Sequence, residues 1–197
     1  MAIMGKQGGE DMYKLCKTEQ SARRQRQLEQ GLLEIMRHSR YEDISVSNLC
    51  DHFGVPRKSF YRYFSSKDGC LYALLDHTMM DFFDEAVGSS GTIPGTQIGD
   101  LDRFFLFWQQ HGTLLEVLQR NALAGVLVER AMALALKERL MPGYLQDASH
   151  EVQQMALSFA VCGLISMVIQ WHGQGFKIPA QEMTKIAVSI LTKPLIQ

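Results

Sequence analysis

The chain has 197 residues, 46% of them hydrophobic and 21% charged, so it can bury a substantial core and accommodates one small module plus one larger domain. Its net charge of -1 gives no chain-wide preference for a polyanion, but the halves differ. Up to residue 70 there are 12 basic against 9 acidic side chains and beyond it 8 against 12, so plus 3 faces minus 4 and only the N-terminal part leans toward nucleic acid. Cys16, Cys50, Cys70 and Cys162 are scattered, with neither a C-x-x-C pair nor metal-ligand spacing, and are read as reduced thiols of a cytoplasmic protein. A redox-sensing role stays open for Cys50 and Cys70.

Residues 1–18 are expected to form a disordered arm able to add a nonspecific phosphate contact. The N-terminal MAIMGKQGGEDMYK has no apolar signal-peptide core, and GKQGG lacks the spacing of a phosphate-binding loop. A first helix follows, with Leu28, Leu32, Ile35 and Met36 on one face. Ser45 then caps a second helix over about 46 to 53, whose apolar face is Val46, Leu49, Cys50 and Phe53. Gly54 can take the left-handed backbone that ends a helix, and Pro56 can begin the next, so Gly54-Val55-Pro56 reads as the turn of a helix-turn-helix.

On the helix that follows, from Arg57 to Phe64, Phe60 and Phe64 lie four residues apart and face inward. Arg57, Lys58, Ser59, Tyr61, Arg62 and Tyr63 are expected mostly outside. Cations, hydroxyls and phenols are the groups that reach phosphates and base edges. From Ile44 to Lys67 four cations face the lone acid Asp51, a local charge of plus 3.

Lys67 opens a fourth helix reaching about Ala86, with Leu71, Leu74, Leu75, Thr78, Met79 and Phe82 on its buried side. Residues 87–100, VGSSGTIPGTQIGD, are expected to be a flexible connection. Helices are predicted over Leu101 to Gln119 and Asn121 to Leu140, the latter stopped by Met141-Pro142-Gly143. Met155 to Ile169 is a nearly unbroken apolar run of 15 residues, short of the roughly 20 that a spanning helix needs. It is read as a helix buried on nearly every side, against a partner chain as well as its own core. A last helix, about Pro179 to Leu191, sets Met183, Ile186, Ala187 and Ile190 along one stripe.

From about Gln20 to Leu75 the chain resembles the TetR family of bacterial transcriptional regulators. The resemblance rests on the first-helix apolar positions, Tyr41 before the capped helix, GVPRKSFYRYF, and SSKDGCLYALL. Pro56 stands where a capping Ser is frequent in that family. The resemblance implies an all-α fold of about nine helices: a helix-turn-helix domain at 19–66 and a helical effector-binding and dimerisation domain at 67–197. It implies a homodimer through the last two long helices, reading a pseudo-palindromic double-stranded DNA operator, most often as a repressor released by an effector.

Carried over by position, Ser47, Arg57, Lys58 and Tyr61 would meet base edges, and Ser45, Ser59, Tyr61, Tyr63 and Lys67 would meet phosphates. A small apolar effector would sit among Phe105, Trp108, His111, Met132, Met167, Trp171 and His172, although Met and Phe at helical spacing also build ordinary core. The histidines show no H-E-x-x-H, and there is no nucleophile elbow or G-x-G-x-x-G, so neither an enzyme nor a cofactor or metal site is expected. The alternative is a helical small-molecule-binding or adaptor protein without sequence-specific DNA binding. Competition between random and selected duplexes separates the two.

Overall fold

The structure, a computed structural model, describes residues 12–90, 98–138 and 147–192. Among these residues there are nine α-helices, a 3-10 turn at Tyr41–Asp43 and no strand, only an isolated antiparallel bridge between Tyr13 and Phe64. The fold is all-α.

The described residues up to His77 and those from Thr78 form two compact units, so the division between them falls inside a helix. The first unit holds α1 (Glu19–Met36), α2 (Val46–His52), α3 (Arg57–Phe60) and the start of α4 (Lys67–Ser90). Its core draws Leu28, Leu32 and Met36 from α1, Leu49 and Cys50 from α2, and Cys70, Leu71, Leu74 and Leu75 from α4, closed by Phe60 and Phe64. The first turns of α4 therefore belong with the module they pack against.

The local signals act where the sequence places them. Thr18 accepts a hydrogen bond from the Ser21 amide and caps α1, while Ser45 and Asn48 form a capping box at α2. Gly54 sits at φ 60°, and a Cβ added there would meet nothing within 4 Å. Gly54→Ala therefore meets no clash and only the left-handed backbone penalty, about 1–2 kcal/mol. A urea midpoint should fall accordingly, and Gly54→Asn should lower it less.

The expected arm is corrected in part. Residues 1–11 lie outside the described residues, but 12–17 strap across the first unit. The Lys14 amide donates to the Tyr63 carbonyl at 2.9 Å, the Ser65 amide to the Met12 carbonyl at 2.9 Å, and the Tyr13 hydroxyl to Asp76 at 2.6 Å. Buried Gln25 donates to the Lys14 carbonyl at 3.1 Å. The Lys14 amide and the Met12 and Lys14 carbonyls are thus paired within the protein rather than with solvent.

In the second unit α5 (Ile98–Gln110) packs on α9 (Ala180–Thr192), and α7 (Ala124–Lys137) on α8 (His150–Gly173). The segment expected to be one helix over 101–119 is two, because α6 (Gly112–Arg120) starts afresh after His111. At the break the His111 ring stacks on Phe107 at 4.1 Å and its Nδ1 meets the Phe107 carbonyl at 2.8 Å. α4 runs on to Ser90, shortening the expected connection; residues 91–97 and the expected Met141-Pro142-Gly143 stop lie outside the described residues.

Within one chain α8 is not covered all round. Leu157, Ile165, Val168 and Trp171 are buried, but Val152, Met155, Phe159, Gly163, Ser166 and Gln170, spaced by three or four, form an exposed stripe. Met155 is 68% and Phe159 59% exposed. By length and composition α8 would suffice to cross a membrane. On α9 the expected stripe divides: Met183 and Ala187 are buried, Ile186 is half-buried and Ile190 is exposed.

Candidate nucleic-acid interface

The reading head is built on a short helix. α3 spans only Arg57–Phe60, yet the Tyr61 amide bonds to the Arg57 carbonyl and the Phe64 amide to the Phe60 carbonyl, so a helical path continues to Phe64. Pro56 precedes it with φ -62° and no side-chain cap, as its ring dictates. Phe60, fully buried, holds the element down, its ring tilted against that of buried Phe64 at 5.1 Å. Arg57, Lys58, Tyr61 and Arg62 are thereby left exposed, Tyr61 with its ring edge-on to Phe60 at 5.6 Å.

Of the other positions, Ser47 and Ser59 are half-buried, and Ser45 is exposed with its hydroxyl occupied by the Asn48 amide at 3.1 Å. The expectation of an outward-facing Tyr63 needs correction. Tyr63 is only 5% exposed, because it lies beside Phe64 at 6.2 Å and its carbonyl anchors Lys14. Lys67 is half-buried: its ammonium donates to the Tyr41 carbonyl and lies 4.2 Å from the centroid of that ring. The Tyr41 hydroxyl in turn donates to Asp68, and burial followed by that bond holds the phenol well above its ordinary range. Lys67 therefore ties the start of α4 to the turn before α2, whatever else its remaining protons meet.

Sequence reasoning passed over Arg23, Arg24 and Arg26. The structure brings them beside Arg62 and Ser59 around one groove. The signal was present as the run RRQR on an otherwise amphipathic helix.

Two of the thiols lie buried beneath this head. Cys50 and Cys70 are buried, and burial, first among the causes, raises both, with Glu29 adding to the effect at Cys70. Oxidative chemistry needs the thiolate, which burial disfavours.

In the second unit, Phe105, Trp108 and Trp171 are closed core: Phe105 meets Trp171 edge-on at 5.8 Å, and the Trp171 indole donates to the Ile178 carbonyl at 2.8 Å. His111, Met132, Met167 and His172 are half-buried. His172 Nδ1 meets the Gln119 side-chain oxygen at 2.9 Å, and its ring lies 5.2 Å from Phe176. The structure joins Phe105 with Trp171 and Trp108 with His111, and it sets Met132 and Met167 on the paired helices α7 and α8.

Residues 33–74 match the family model of bacterial regulatory proteins, tetR family. The fold is similar to the fatty acid degradation regulator FadR from Bacillus halodurans, with TM-score 0.59 and 19% identity over 92% of this chain and 98% of that one. It is also similar to the dihydroxyacetone kinase operon activator DhaS, with TM-score 0.54 and 11% identity over 85% and 93% of the two chains. No curated protein matches by sequence.

Proposed function

Because the chain belongs to the TetR family of DNA-binding transcriptional regulators, we propose that it is a cytoplasmic homodimer that represses from a pseudo-palindromic operator and is released by a small apolar effector. The observation that carries the reading is the exposed Arg57, Lys58 and Tyr61 on a helix pinned by fully buried Phe60. A dimer would present two such helices to successive major grooves. The α8 stripe from Val152 to Gln170 is the surface that a second copy would cover, in an interface of about 2,000 Å² or more. Protein rather than lipid then meets those apolar side chains.

Selection of bound fragments from genomic DNA supplies the operator, and random duplex supplies the control. Arg57→Ala should weaken the selected site by about 1–3 kcal/mol and spare random DNA. Lys67→Ala should lower affinity on both alike, reduce the salt slope by about 1 per protomer, and also lower the melting temperature, since it loses the Tyr41 contacts. Equal losses on both duplexes for Arg57→Ala would remove it from the base-reading set.

The effector half of the proposal rests on adaptable Met132 and Met167 on facing helices and on His172 in the same unit. α4, the element continuous through both units, is the proposed lever. A coupling of about 1–3 kcal/mol gives a 5- to 150-fold change in operator affinity, provided the effector distinguishes two states. Compounds that raise the melting temperature should therefore raise the operator dissociation constant too. Met132→Trp should diminish both effects; binders that leave operator affinity untouched would leave a DNA-binding dimer without ligand control.

A further inference from the structure

A groove of about 800 Å³ runs between α1 and the turn that joins α2 to α3. Arg23, Gln27, Gly31 and Glu34 follow one another along a single face of α1, and Phe53, Val55 and Pro56 form the opposing apolar wall. Gly31 makes the closeness possible: a Cβ there would lie 1.9 Å from the Phe53 ring. Around the opening stand Arg23, Arg24, Arg26 and Arg62 against Glu34, a local charge of plus 3. Arg23, Arg24 and Arg62 are exposed.

We propose that this groove holds the sugar–phosphate backbone flanking the major groove, with Arg23, Arg24 and Arg62 as phosphate contacts. The inference rests on the DNA-reading function and extends its footprint from α3 onto α1. Two observations carry it. The groove is continuous with the reading head, since Ser59 and Arg62 belong to the element that carries Arg57, Lys58 and Tyr61. Its chemistry also matches an extended polyanion: DNA backbone alternates charged phosphate with apolar deoxyribose, and the groove sets a guanidinium rim over an apolar floor. Arginines spread over two elements and open to solvent suit a passing strand better than a small enclosed anion.

The test compares wild type, Arg23→Gln/Arg24→Gln and Arg23→Lys/Arg24→Lys by titration with random-sequence and genome-selected duplexes over a range of salt. Both positions are exposed, and melting curves of all variants should coincide. The glutamine variant should lose about 0.9 of the salt slope per arginine in each protomer, equally on both duplexes, so that the ratio of selected to random affinity stays put. Lysine should restore the slope. A wild-type slope in the glutamine variant, alongside the expected loss for Arg57→Ala, overturns the groove and leaves the DNA-reading function standing. A wild-type slope together with a lost thermal shift by pyrophosphate makes the groove a small-anion site and overturns it equally. If wild type binds neither duplex, both readings fall together.

Discussion

Phe159→Glu should turn the proposed dimer into a folded monomer and weaken binding to a two-half-site operator about 10²- to 10⁴-fold, the advantage that linking two reading heads would confer. Phe159 is 59% exposed in the single chain and is not part of its unit's buried core. A carboxylate there is solvated in the monomer and costs little, whereas in a dimer it would be desolvated without a partner. Ile165 is the instructive contrast, being 3% exposed within its own unit. Ile165→Glu should unfold the chain and would say nothing about association. Light scattering at micromolar concentration, melting curves and operator titration together separate the outcomes. A Phe159→Glu variant that remains dimeric would move the interface away from the α8 stripe.

His77→Leu should destabilise the first unit by about 1–3 kcal/mol, the usual cost of leaving a buried hydrogen-bonding group without its partner. Glu29 on α1 has a fully buried side chain, and its carboxylate oxygens lie 2.9 and 3.0 Å from His77 Nδ1 on α4. Tyr13 from the N-terminal strap closes the site, its ring edge-on to His77 at 5.7 Å. Since whole domains are stable by only about 5–15 kcal/mol, such a loss should be plain in a denaturant midpoint. Glu29→Gln combined with His77→Leu should recover most of it, because no unpaired carboxylate remains. A single variant costing under about 1 kcal/mol would mean that water or another group already serves Glu29.

The parts of this fold that were legible are those encoded by local rules. Ser45 announced a helix start, Gly54 a left-handed turn, and Phe60 with Phe64 the buried side of the reading element, and each depends on neighbours within four residues. What stayed hidden depends on groups far apart in sequence. Tyr63 looks like an exposed phenol until Lys14 is bonded to its carbonyl, and Lys67 looks like a free cation until Tyr41 is placed under it. His77 and Glu29, 48 positions apart, show no pattern at all in the sequence. The α8 run was legible only as apolar: its residues are hydrophobic on every side, so the buried and exposed faces within one chain separate only once α7 covers one of them. RRQR could have been found, had charge on the first helix been weighed beside charge on the third.

The strap also governs how the protein should be handled. Met12 is fixed by both the amide and the hydroxyl of Ser65, at 2.9 and 3.0 Å, and its carbonyl sits where Gly69 alone leaves room, since a Cβ would approach to 2.1 Å. Any affinity tag or fluorescent fusion placed upstream is therefore tethered through Met12, which is held at Ser65, at the edge of the surface proposed to meet DNA. Trypsin cutting at exposed Lys14 would sever that anchorage without touching a helix. Labels for binding measurements belong after α9, and a preparation nicked near Lys14 should be checked for lost operator binding before any effector is blamed.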